Sequence, residues 1–304
     1  MVGRRACAGI VMVLSLAFVA GCSAEGPGAG RAEPGAQVTG RPSRASSPPP
    51  PAVKGEGKLV ATYERGTTIG DTHAQGFLED HKVLQEVADY ANSLIKLAYD
   101  VPLKAATCED GSASWNADSK DITYCYDFVN QMRGIYEGQE TQGPAEQRDR
   151  AVDEDLIGLT NGVLFHELAH GLIDMYDLPI TGREEDAADQ LSVLLLAGGD
   201  EKHKAYAMST VNAWGGLWDF DGVEGDEPGS YADGHSLNAQ RFFNWSCWLY
   251  GSDPRTYSYV VQSETNPDGV LPQDRAERCP AEFDKLDQAW GTLLHPYLRN
   301  PDSS

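Results

Sequence analysis

Hydrophobic positions divide the chain into an apolar leader, a stretch without apolar rhythm, and a long region of strand and helix patterns. Ala8 to Ala20 is a nearly unbroken apolar run behind Arg4 and Arg5, too short to span a bilayer well. Ser23 to Gly57 is rich in Gly, Pro, Ser and Ala and includes the proline run Pro48 to Pro51, so it has little to bury and predicts a tether. Leu59 to Tyr63 reads as a strand. Apolar residues at Phe77, Val83, Leu84, Val87, Ala88, Ala91, Leu94, Ile95 and Ala98 predict one helix over Phe77 to Tyr99. Val101 to Cys108 predicts another strand. Ser112 to Trp115 and Asp121 to Tyr126, either side of a polar turn at Asn116 to Ser119, predict a hairpin. Gln139 to Arg150 is polar and predicts a mobile loop entering a helix, and Asp155 onward predicts one helix running past His170. Leu178-Pro179 marks a turn, Glu184 an acidic helix start, and Lys202 to Trp214 a further helix. Trp218 to Gly234 reads as irregular; Ser236 to Tyr250 is aromatic and helical, followed by Thr256 to Ser263 and Ala281 to Leu298. Strands come early and helices late, which predicts an α+β fold with a small N-terminal sheet and a mainly helical C-terminal part.

Composition adds two constraints. In 304 residues, 41% apolar content and six tryptophans are enough for a substantial core. The 24 basic and 46 acidic residues give a net charge of −22, which repels nucleic acid and anionic lipid headgroups and so argues against both as partners. The leader ends in Val19-Ala20-Gly21-Cys22, which resembles the lipobox of bacterial lipoprotein signals. That resemblance implies lipidation of Cys22, an extracytoplasmic location and contact with the membrane through the anchor alone. The expected organisation is a signal over 1–22, a tether over 23–57 and a folded domain over 58–304. Cys7 belongs to the leader and Cys22 to the anchor, leaving Cys108, Cys125, Cys247 and Cys279. Four cysteines in an oxidising compartment allow three pairings, and local closure favours Cys108 with Cys125 and Cys247 with Cys279.

The chemistry concentrates in Gly162 to Gln190, GVLFHELAHGLIDMYDLPITGREEDAADQ. His166 and His170 are four apart on a helix, about 6 Å along the axis and about 40° around it, so both imidazoles can reach one metal ion with Glu167 beside it. Hydrogen-bonded core histidines are the plain alternative, but an apolar helix carrying His, Glu and His must satisfy three polar groups at once, and a metal does so. A catalytic site needs a third protein ligand. Ile173 and Tyr176 stand where an extended metzincin pattern requires Gly and His, and Asp174 lies a further turn along, where reaching the same ion is strained. The acidic helix offers Glu184 and Glu185. Glu185 and Asp189, four apart, resemble the later E-x-x-x-D of the gluzincins, the thermolysin-like group. That resemblance implies zinc held by His166, His170 and Glu185, with Asp189 orienting a ligand histidine. Helix-start acidity accounts for Glu184 and Asp186.

On this reading Glu167 is the general base for a metal-activated water and His235 the oxyanion donor, with Asp233 orienting it and Tyr231 as the alternative donor. Ser112 to Asn116 followed by Ile122 to Tyr124 resembles the zincin edge strand that pairs with substrate backbone, which suits a peptide or protein substrate. Over Lys58 to Tyr297 the chain resembles an uncharacterised bacterial metallopeptidase family, through HELAHGLIDMYDLP, GREEDAADQ, and NAQRFFNWSCWLYGSDP with Arg275 to Cys279. Gln240 and Arg241 either line the cleft or anchor their helix, and anchoring is favoured. Two rivals remain at this level: a binding lipoprotein with structural zinc, and an amidase or carboxypeptidase acting on cell-wall peptides.

Overall fold

The structure, a computed structural model, describes residues 56–109, 111–221 and 228–299. The leader, Cys22 and nearly all of the expected tether lie outside them. Four strands form one sheet: β1 (Leu59–Tyr63), β2 (Val101–Ala106), β3 (Ala113–Asn116) and β4 (Asp121–Cys125), in the order β1-β2-β4-β3. β1 and β4 both run parallel to β2, while β3 pairs antiparallel with β4 as the expected hairpin. β3 is therefore a sheet edge.

Two helices precede β2 where the sequence pattern predicts one. α1 (Ile69–Asp80) starts at a capping box in which Thr68 and Asp71 bond reciprocally, and α2 spans Val83–Leu94. Lys82 breaks the run by taking the left-handed conformation, φ 53°. The expected last turn is extended instead: Ile95 and Leu97 are buried while Lys96 and Ala98 are partly exposed, a period of two rather than 3.6. Ile95 and Leu97 bridge to Leu298 and Gly57, so backbone pairing replaces helical bonds there.

The helical part follows. α3 (Tyr126–Gln139) leads through a short turn to α4 (Ala145–Tyr176), which starts ten residues before the predicted helix because Pro144 fixes a ready N-terminus. Its first turns are polar and exposed; from Gly158 to Ala169 every residue is buried, because the sheet, α5 (Glu184–Ala197) and α6 (Glu201–Asp221) surround it. Gly158 and Gly162 let α6 approach closely, since a Cβ at Gly162 would lie 2.2 Å from Thr210 Oγ1. α6 also continues through Trp218, further than the sequence pattern suggests. Next come α7 (Pro228–Ala232) and α8 (Asn238–Ser252), the latter packed on α6. Residues 256–263 hold a 3₁₀ turn at Ser258–Val260 and isolated bridges at Val261 and Ser263. α9 (Gln273–Ala276) and α10 (Cys279–Leu294) close the fold.

Both expected disulfides are present, Cys108–Cys125 and Cys247–Cys279. The first ties the end of β4 to the chain just past β2. The second joins α8 to the start of α10 inside a small core of its own with Val260, Leu271 and Ala276. Among the described residues, no helix is long and apolar enough to cross a membrane.

Candidate metal centre

His166, Glu167 and His170 sit in the buried half of α4, facing the first turns of α5 and the loop before α8. The tight turn after α4, with Asp177 left-handed at φ 48°, returns the chain so that α5 starts beside the histidines. His166 Nε2, His170 Nε2 and Glu185 Oε2 then form a triangle with sides of 3.1, 3.2 and 3.3 Å. Ligands about 2.0–2.1 Å from a tetrahedral ion lie about 3.4 Å apart, so the triangle has nearly the size a zinc-like ion requires.

The other imidazole nitrogens support the same fit. His166 Nδ1 is 2.9 Å from Asp189 Oδ1, and His170 Nδ1 is 2.8 Å from Glu184 Oε1. Each carboxylate is placed to accept an Nδ1–H, and in that neutral tautomer both Nε2 lone pairs face the same point as the Glu185 oxygen. Three electron-rich atoms facing one another call for a cation between them. The same acids favour positive charge at this point, carried by a metal ion or by the imidazoles themselves. Burial pulls the pKa values of both histidines down, but Asp189 and Glu185 outweigh it at His166, and Glu185 and Glu184 raise His170 to about 9. Burial would raise Glu185, yet His166, His170 and His235 hold it well below the usual carboxylate range. Among the described residues, these three form the one His, Cys, Asp and Glu group spaced to hold a metal ion.

Asp189 is buried and receives both Arg241 Nε and Nη2, at 2.8 and 2.6 Å. Burial raises its pKa, but the Arg241 charge and His166 leave it lowered. The Arg241 guanidinium also lies 3.6 Å over the Trp214 ring. Arg241 thus anchors α8, as the sequence reading favours, and lines the cleft too. Gln240 Oε1 accepts the Leu237 N–H and caps the same helix.

Glu167 points its Oε2 at the backbone N–H of Trp115 in β3, 2.7 Å away. Asp174 is turned from the triangle, bonding Lys120 Nζ at 2.6 Å and Trp115 Nε1 at 3.3 Å. Asp186 accepts from Ser236 Oγ at 2.6 Å and ties the loop before α8 to α5. On that loop His235 sits half-exposed with Nε2 2.9 Å from Glu185 Oε2 and Nδ1 3.1 Å from Asp233 Oδ1. Its contact with Asp233 matches the sequence expectation; its approach to Glu185 had no sequence signal. Tyr231 is exposed on α7. Beside the triangle opens a cavity of about 350 Å³ with Phe128, Val163, Trp214 and Leu217 on its apolar wall and Glu167 and His235 among its polar residues.

A family model described as "Putative metallopeptidase" matches residues 63–294, which include every residue of this centre. The chain belongs to that family. Neither the curated proteins nor the solved structures contain a match to this metallopeptidase. Glu184 stands in the acidic first turn of α5 as expected and makes a contact that sequence reasoning missed. Its position at a helix start suggests dipole complementarity, and its side chain also reaches across to His170. The signal was its distance from the histidines through the α4–α5 turn rather than any spacing within α5.

Proposed function

We propose that this metallopeptidase is a zinc-dependent enzyme that hydrolyses peptide bonds outside the cytoplasm, held to the membrane by lipid on Cys22. The convergence of His166, His170 and Glu185 on one point beside Glu167 is the observation that carries the reading. His166, His170 and Glu185 would hold the zinc ion, which would supply Lewis acidity to the attacking water. Glu167 takes the proton of the attacking water and delivers it to the leaving amine. Asp189 and Arg241 hold His166 in the tautomer that presents Nε2. His235, oriented by Asp233, donates to the oxyanion. β3 offers outward backbone groups to an extended peptide, and the apolar cavity wall takes a bulky apolar side chain. The leader's lipobox and the two disulfides support the extracytoplasmic location.

The substitution Glu167→Gln tests the reading, because it keeps volume and removes the base. Metal content by elemental analysis should stay at one ion per chain, while turnover of casein or a peptide library should fall about 10²–10⁴-fold. Turnover unchanged by the substitution sinks the assignment of Glu167.

A further inference from the structure

The two ligand histidines are supported unequally. His166 is backed by a buried chain: its side chain and that of Asp189 are each 5% exposed, and Arg241 behind them is 11% exposed. His170 is 13% exposed, and its Nδ1 partner Glu184 is 50% exposed. Glu184 leads α5, where Arg183 provides no side-chain cap, and its Oε1 spends itself on the imidazole at 2.8 Å. An acid serving the helix dipole alone would turn to solvent or to the first-turn N–H groups.

We infer that Glu184 is a positioning residue for His170, and that this exposed pair is the arm that governs how long the ion is retained. The inference rests on the metal-centre reading. Accepting the Nδ1–H fixes the tautomer that leaves Nε2 free to ligate, and the negative charge makes that nitrogen a stronger donor. Neutral imidazole can carry its proton on either nitrogen, so without Glu184 part of the population presents an Nε2–H that cannot ligate. The buried arm cannot relax in this way, because Asp189 is held by two charge-assisted bonds from Arg241. Glu184 and Glu185 thus divide the work of adjacent positions: one faces the ion and its neighbour faces a ligand of that ion.

The test uses the full chain loaded with zinc and then exposed to a chromophoric chelator. Glu184→Ala should release zinc about 10–100-fold faster and weaken its affinity by a similar factor. Glu184→Gln, whose amide oxygen can still accept the Nδ1–H, should recover much of that loss. The zinc-free protein should lose only the small contribution of one half-exposed ion pair, whereas the zinc-loaded protein should lose more melting temperature, which separates positioning from a structural role. In ¹⁵N-histidine spectra of the loaded protein, His170 should carry its proton on Nδ1. Release from Glu184→Ala within twofold of the unsubstituted protein overturns the inference. A protein that holds no zinc before any substitution overturns the metal-centre reading itself, and Glu185→Ala, which should abolish zinc binding, tells the two failures apart.

Discussion

Asp71 and Asp189 are both buried carboxylates, and each is stabilised by what surrounds it. At Asp71, hydrogen bonds from Thr107, then from the backbone N–H and side chains of the Thr67–Thr68 corner, outweigh burial and lower its pKa to about 2. A carboxylate with a lowered folded pKa stabilises the fold above its unfolded value, near 4, and loses that contribution as pH falls through about 2. Asp71→Asn should therefore reduce stability by about 1–2 kcal/mol at neutral pH. Urea melts across pH should show the gap to the unsubstituted protein constant above about pH 5 and closing between about pH 4 and pH 2. The residues legible in the sequence were those related by local spacing: His166, Glu167 and His170 on one helix, Glu185 and Asp189 on the next. The contacts that were not legible join distant positions. Arg241 reaches Asp189 and Trp115 reaches Glu167 across 52 residues each, and no periodicity within either element encodes those meetings.

At the scale of elements, hydrophobic rhythm located the strands and most helices but misjudged their limits. The run after Phe77 holds apolar residues at helical spacing on both sides of Lys82, so the break depends on one backbone conformation rather than on a change of pattern. The switch from helix to extended chain at Ile95 was present as a change of period, but only over Ile95 and Leu97, too few residues to stand out. The polar first turns of α4 read as loop because they are largely exposed and carry no apolar face. The disulfides were legible by count and proximity. Cys247–Cys279 holds α8, the helix that carries Arg241, to α10, and Gly251 lies where a Cβ would come within 2.4 Å of the Cys279 carbonyl. Replacing both cysteines by serine should lower stability by about 3–4 kcal/mol. Thermal unfolding of the double variant, beside the unsubstituted protein under reducing conditions, checks this: the two should melt together once the bridges are broken, apart from the share due to Cys108–Cys125.

For the whole molecule, the site depends on three segments packed around one buried helix: β3 beside Glu167, α5 across from the histidines, and the α8 entry behind Asp189. An ion that bridges α4 and α5 binds the folded chain and not the unfolded one, so it links metal concentration to stability. Free zinc at 100 times its dissociation constant should add about 2.7 kcal/mol, or about 5–10 °C in melting temperature for a domain of this size. A chelator should remove that increment reversibly, and Glu185→Ala should melt at the chelated temperature whether or not zinc is present. An unchanged melting temperature with zinc, chelator and Glu185→Ala would argue against a metal bridge between the helices.

The edge strand β3 gives the centre one more property. Ser112 accepts the Cys125 N–H, which sets the alternation along the hairpin: Ser114 and Asn116 turn inward to β4, and Ala113 and Trp115 turn outward. One of those outward N–H groups, that of Trp115, is the donor that holds Glu167. A peptide strand laid along β3 competes for that same donor with its own carbonyl. Under the function proposed above, arrival of a peptide and release of the Glu167 carboxylate become a single exchange of partners, so that the proposed base is freed only when a peptide occupies the edge.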